Sequence, residues 1–295
     1  EIADWCRRGR AVGCSEALMC LGDKPEIAFR DFRRVLEAHG ARSTAEYVRE
    51  ACRVAIAEGL LPHTNAGLLS TDELRMLRPV NVSMGLMLEN VSPRLRDRGM
   101  PHFHAPDKDP AARLAMIEAA GRLAIPFTTG ILVGIGESEA ERVASLLAIR
   151  RLHERYGHIQ EVIVQNFRAK DSTAMASAPE VTDEEMIRTV AIARLVLGAT
   201  MNVQAPPNLS PDCHSWLIRA GINDWGGISP LTLDYVNPEA PWPHVEQLRD
   251  TCRSEGFELR ARLPVYPEFA SDRFLDPAMR AAIEHHGAPE EAVAI

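Results

Sequence analysis

Short apolar runs alternate with amphipathic stretches along the chain. Runs at 14–21, 61–66, 80–87, 127–133, 161–167, 202–205 and 221–225 read as seven strands. Ile131-Leu132-Val133 and Val162-Ile163-Val164 are apolar throughout, the pattern of strands buried on both faces of a parallel sheet. Capping boxes mark helix starts at Ser43…Glu46, Ser70…Glu73, Ser138…Glu141 and Thr182…Glu185. Proline at the first helical position predicts three more, after Ser92, Asp109 and Ser210. The helix after Ser43 should face inward through Tyr47, Ala51, Val54 and Ala55, and the helix after Thr182 through Ile187, Val190 and Ala191.

Strand and helix alternate with short connections, so repeated βαβ units are expected. Evenly spaced units favour an α/β chain of the TIM-type (β/α)8 barrel over a doubly wound sheet. Seven strands were found where the barrel needs eight, and the chain opens inside a helical pattern at Glu1-Ile2-Ala3-Asp4-Trp5-Cys6. The expectation is a barrel over 1–270 whose first strand lies upstream of Glu1, then a C-terminal helix and tail or linker over 271–295.

Composition narrows the function. Of 295 residues, 46% are apolar and 25% charged, enough for a large core. A net charge of −8 with 5% aromatics argues against nucleic acid as a partner. No apolar run reaches the roughly 18 residues of a membrane span, and no signal peptide opens the chain. The six cysteines, at 6, 14, 20, 52, 213 and 252, show no C-x-x-C spacing. They read as reduced thiols in or near the core of a cytoplasmic protein, with Cys20 as a packing residue.

A barrel carries its active site at the C-terminal ends of its strands. Those ends are rich in amides, carboxylates and glycines: Gly22 and Asp23, Asn65, Glu89, Gly134 to Glu137, Gln165 and Asn166, Gln204 and Asn208, Asn223 and Asp224. Such residues make turns anywhere. Their recurrence at every strand end points further, to a substrate dense in hydroxyl and carbonyl groups. The run 130–137 lacks the G-x-G-x-x-G spacing of a dinucleotide turn, but its glycines allow close backbone approach to a flat ligand. Arg113, near a helix start, reads either as an exposed charge or as a clamp for a carboxylate. His102 and His104 have no third ligand nearby for a metal.

GILVGIGE (130–137) resembles the G-x-I-x-G-x-x-E strand of radical S-adenosylmethionine (SAM) enzymes, with Leu132 in the Ile place. GCSEALMCLGDKPE (13–26), LLPHTNAGLLS (60–70), NVSMGLMLENVS (81–92), VIVQNFRAK (162–170), VQAPPNLS (203–210), GINDWGGISPLT (221–232) and RLPVYPEF (262–269) resemble the FO synthase family, which makes 7,8-didemethyl-8-hydroxy-5-deazariboflavin. The resemblance implies a radical SAM carbon–nitrogen lyase. It would close the deazaflavin ring of a tyrosine/5-amino-6-ribitylamino-uracil adduct with loss of ammonia. The cofactors implied are SAM and a [4Fe–4S] cluster. The partners implied are an adduct-forming radical SAM subunit or fused domain and an electron donor.

The family's C-x3-C-x2-C cluster run is absent from the chain, so the cluster cysteines are expected upstream of Glu1 and none of the six is assigned as a metal ligand. By resemblance Gly22 and Asp23 meet the SAM amino group, Glu89 its ribose, Arg113 its carboxylate, and Gly134 and Ile135 its adenine. Asn65, Gln165, Asn166, Gln204, Asn208, Asn223 and Asp224 are candidates for the substrate. No catalytic residue is assigned. The alternatives are the tyrosine-adduct-forming sister reaction, a biotin synthase-like reaction, or a cluster-less, non-catalytic binding module.

Overall fold

The computed structural model describes residues 1–171 and 173–286. Six parallel strands form one sheet in sequential order: β1 (Glu16–Cys20), β2 (Leu61–Asn65), β3 (Ser83–Gly85), β4 (Phe127–Val133), β5 (Ile159–Asn166) and β6 (Val203–Gln204). A doubly wound sheet reverses its strand order at a switch point, whereas here each strand pairs with the next, as in a barrel wall.

The helices are α1 (Ile2–Ala11), α2 (Pro25–Ala28), α3 (Arg30–Ala38), α4 (Thr44–Ala57), α5 (Thr71–Leu77), α6 (Pro110–Arg122), α7 (Glu139–Tyr156), α8 (Asp183–Leu197), α9 (His214–Ala220), α10 (Val245–Ser254) and α11 (Pro277–His286). One or more of them lies in each crossover between successive strands. None is long and apolar enough to cross a membrane.

All four N-caps hold, but the reciprocal capping box forms only at Ser70…Glu73 and Ser138…Glu141; Glu46 takes Arg42 N instead. Ser43, Ser70, Ser138 and Thr182 each accept a hydrogen bond from the backbone N–H three residues on, which satisfies one orphan donor of the first turn. Of the proline starts, Asp109 caps α6, but Pro93 opens only a 3-10 turn. Ser210-Pro211 is a turn, and α9 begins at His214.

Both predicted helix faces hold in part: Ala51, Ala55 and Val190 are buried as expected, and the other four residues are corrected. In α4 the buried stripe is Thr44, Ala45, Val48, Ala51, Cys52 and Ala55; Tyr47 and Val54 flank it. In α8 it is Met186, Thr189, Val190, Ala193 and Leu197, with Ile187 and Ala191 at its margin. Each stripe turns by about one residue because Cys52 and Met186 face the main core.

The seventh predicted strand is also corrected: among the described residues, 221–225 contributes a single parallel bridge, Asp224 to Gln204. Gly221 and Gly226, with φ of 111° and 73°, bracket the segment and prevent a longer ladder. Cys20 is exposed, not packed, since it alternates with Met19, which lies against the core.

The sheet's outer face is the core. Met84, Phe127, Ile131, Val133, Val162, Val164 and Val203 pack beneath the helices. At the N-terminal end of the strands, Leu61 and Val82 pack with Val265, Tyr266, Phe269, Phe274, Leu275 and Met279. The segment after α10 thereby closes the bottom of the barrel.

Candidate active site in the barrel lumen

Strand register fixes which residues face inward. The partner pairs Leu18–His63, Cys20–Asn65, His63–Ser83, Gly85–Thr128, Thr128–Glu161, Leu132–Gln165 and Ile163–Gln204 run across one face of the sheet. The bridge from Gln204 adds Asp224 to that face. Register partners point the same way and neighbours in sequence point oppositely. Burial follows depth: His63, Ser83, Thr128 and Glu161 are buried, whereas Leu18, Cys20, Asn65, Leu132 and Gln165 are open to solvent in whole or in part. The lumen therefore has a closed floor and a mouth at the C-terminal strand ends.

The seven substrate candidates separate. Asn65, Gln165, Gln204 and Asp224 share the lumen face. The Asn65, Gln165 and Gln204 side chains make no hydrogen bond to the described residues, although Gln204 is only 8% exposed. Asn166 faces outward and donates to Leu209 O at 2.9 Å. Asn208 donates to Asp234 Oδ2 and Ala240 O. Asn223 accepts from Arg194 and Val203 N and donates to Asn202. Those three amides join loops and helices outside the lumen. Position at a strand end did not distinguish them, because the face alternates with every residue.

The floor is an ion cluster. Arg262, from the closing segment, donates to Asp224 at 2.5 and 3.1 Å and to Glu161 at 2.8 Å. Tyr266 OH donates to Asp224 at 2.5 Å, Gly226 N to Asp224 at 2.5 Å, and Thr128 to Glu161 at 3.2 Å. Asp224, with more donors, keeps its charge: burial opposes ionisation there, but Arg262, Tyr266 and the Gly226 N–H together outweigh it and its carboxyl titrates below the usual range. Burial, reinforced by Asp224 against the pull of Arg262, pushes Glu161 up to about 7. Glu16, on the lumen face at the start of β1, is also pushed up to about 7 by burial, with Glu161 and Asp224 adding to it and Arg262 opposing. None of Glu16, Glu161, Arg262 or Tyr266 was singled out from sequence. Arg262 and Tyr266 reach the strands from far along the chain.

The rim of the mouth carries the other predicted residues. Gly22 and Asp23 form the exposed turn after β1, and Asp23 Oδ1 accepts from Leu68 N at 2.8 Å, tying that turn to the loop after β2. Glu89 follows β3 with a φ of 63°, unusual for a side-chain-bearing residue and held by its bridge to Ile131. Its carboxylate meets Lys108, His102 at 3.1 Å and Arg113 at 3.5 Å. Burial would raise the Glu89 pKa, but those donors and charges bring it down to about 2.

Arg113 is buried rather than exposed. Its guanidinium donates to Asp107 O and Met87 O and pairs with Asp107 Oδ2 at 3.4 Å, so its donors are engaged within the chain. Gly134 and Ile135 donate their N–H groups to the Glu137 carboxylate at 2.8 Å each, and a Cβ on Gly134 would run into Val181. The glutamate of the glycine-rich run thus folds back to hold its own turn. Arg142 anchors it at 2.5 Å and reaches Glu185 at 2.6 Å.

Parallel strands in sequential order around a polar lumen, with a charged rim at their C-terminal ends, define a TIM-type α/β fold. Among solved structures the chain is similar in fold to the [FeFe]-hydrogenase maturase HydG (TM-score 0.69, 16% identity, covering 98% of this chain and 64% of that one). It is similar also to methylornithine synthase PylB (TM-score 0.65, 16% identity, 88% and 73%).

In sequence it belongs to the 7,8-didemethyl-8-hydroxy-5-deazariboflavin synthase, or FO synthase, family. It is 49% identical to the Methanopyrus kandleri 7,8-didemethyl-8-hydroxy-5-deazariboflavin synthase over 270 residues, 91% of this chain and 80% of that protein. It is 49% identical to the Streptomyces coelicolor FO synthase over 298 residues and 51% identical to the Mycobacterium tuberculosis FO synthase over 289 residues. The chain spans 34% of the length of each of these two FO synthases. No family model matches it.

Proposed function

We propose that the chain performs the ring-closing half of deazaflavin synthesis. It acts as a radical SAM lyase on the adduct of tyrosine with 5-amino-6-ribitylamino-uracil, releasing ammonia. The observation that carries this reading is a lumen whose amides Asn65, Gln165 and Gln204 have no hydrogen-bond partner among the described residues, in a chain close in sequence to a deazariboflavin synthase over most of that protein's length. A uracil ring and a ribityl chain are dense in the donors and acceptors that such amides pair with.

The rim residues fit SAM. Asp23 and Glu89 present carboxylates suited to an ammonium and to ribose hydroxyls, and Gly22 has open space where a side chain would stand. Arg113 and Lys108 hold the Glu89 carboxylate in place, and Lys108 is partly exposed. When bound, SAM supplies hydrogen-atom abstraction. Among the described residues, no three of His, Cys, Asp and Glu gather as a metal site, so they offer no ligand set for a [4Fe–4S] cluster. The cluster, an electron donor and an adduct-forming subunit or domain are further requirements of the reading.

The chain's own residues bind the heterocycle through the lumen amides and exclude water through the floor closed by Arg262 and Tyr266. The test is an anaerobic assay of the intact synthase with adduct, SAM and reductant, following 5′-deoxyadenosine and the fluorescent deazaflavin together. Both products are expected. 5′-Deoxyadenosine with a different organic product would assign another radical reaction to this barrel.

A further inference from the structure

His63 lies on the lumen face of β2 and is 8% exposed. Its Nδ1 is 2.6 Å from Ser83 Oγ, and Ser83 Oγ is 2.5 Å from Pro264 O. A carbonyl can only accept, so the single Ser83 proton points to Pro264. Ser83 Oγ must then accept from His63, which places the imidazole proton on Nδ1 and leaves Nε2 bare.

That Nε2 has no partner among the described residues. It stands over Gly85, where an added Cβ would lie 3.0 Å from it. The groups facing the ring are Ser83 and Gly85 from β3, the register partner Leu18 from β1, and Arg262 from the closing segment. Glu161 and Asp224 pair with that guanidinium. Burial, then the Arg262 charge, lowers the His63 pKa to about 4, so the ring stays neutral through the physiological range.

We propose that His63 Nε2 is a fixed acceptor in the lumen, taking a hydrogen bond from an N–H or hydroxyl of the bound heterocyclic substrate, with Ser83 and the Pro264 carbonyl locking the tautomer. His63 is then a substrate-binding residue, and Ser83 a positioning residue acting through it. A ligand that turns an acceptor towards Nε2 sets its lone pair against that of the nitrogen and is rejected. The inference rests on reading the lumen as the heterocycle site.

The test uses the intact protein with 15N-labelled histidine, the His63 signals being identified by their loss in His63→Gln. At pH 7 a protonated Nδ1 and a bare Nε2 are expected. Addition of 5-amino-6-ribitylamino-uracil, the heterocyclic part of the proposed substrate, should shift the Nε2 signal. His63→Gln should weaken binding of that probe about 10-fold, the effect of one lost hydrogen bond in a buried site. Ser83→Ala keeps the imidazole and should weaken binding in the same direction, carrying the binding test if His63→Gln does not fold.

A proton on Nε2 overturns the assignment whatever the ligand. So does unchanged affinity in both folded variants. A wild-type protein that binds no heterocycle and forms no deazaflavin instead overturns the functional reading.

Discussion

The Arg113 guanidinium lies 3.5 Å from the Glu89 carboxylate, and both side chains are buried. From sequence, these residues were expected at different parts of one ligand, the carboxylate and the ribose. The fold makes them partners first, with Lys108 and His102 completing the group. Whatever Glu89 binds, it is held there by Arg113.

Arg113→Ala should therefore cost stability as well as ligand affinity. The substitution leaves Glu89 to Lys108 and His102 and strips the donors from Asp107 O and Met87 O, an effect of roughly 1–3 kcal/mol. Urea unfolding of the variant checks it. A variant as stable as wild type would show that Glu89 is held by Lys108 and His102 alone.

Acid should act through Glu89. Its folded pKa, about 2, lies below its ordinary value of 4.5. The stability it contributes is present above 4.5 and is lost as pH falls from there towards 2, amounting to about 3 kcal/mol. Glu89→Gln should flatten the acid limb of the stability–pH curve.

Glu16 should act with the opposite sign. Its folded pKa of about 7 lies above 4.5, so its contribution is present below 4.5 and is lost as pH rises through 7. Glu16→Gln should therefore stabilise the protein at pH 8 relative to wild type and change little at pH 5. Thermal melts at the two pH values decide it, and equal shifts at both would show that Glu16 is solvated.

Gly226→Ala should destabilise by about 1–3 kcal/mol. The residue has a φ of 73°, and an added Cβ would run into the Gln204 amide. Gln204→Ala in the same chain removes the collision but not the strained φ, so partial recovery of stability is expected. Full recovery would show that the backbone there relaxes freely.

Gln165→Ala and Asn223→Ala should differ in kind. Gln165 lines the lumen without a partner among the described residues, so its loss should impair deazaflavin formation by about 1–3 kcal/mol while leaving SAM cleavage and the melting temperature intact. Asn223 joins Arg194, Val203 and Asn202, so its loss should lower stability first. Paired product assays with melting curves separate the two, and matching profiles would remove the lumen assignment of Gln165.

Much of the architecture was legible because it is local. Capping serines and threonines bond three residues on, and β4 falls on 127–133 as its apolar run predicts. The helix faces came out about one residue off, since several small apolar residues on α4 and α8 could face inward and only the partner surface chooses. The segment 221–225 looked like a strand by composition, yet its asparagine, aspartate and flanking glycines spend their bonds elsewhere.

The sequence by itself determined the alternation of strand and helix, the caps, and which residue types gather at the strand ends. Only the tertiary structure decided that Gln165 faces the lumen and Asn166 does not, because register with β4 sets the phase of a period-two pattern. It alone decided that Arg262 neutralises a floor of carboxylates. It alone bonds Ser83 to Pro264, 181 residues away, and so fixes the proton on His63. Such a contact exists only once the chain has closed on itself, and no local pattern of residues encodes it.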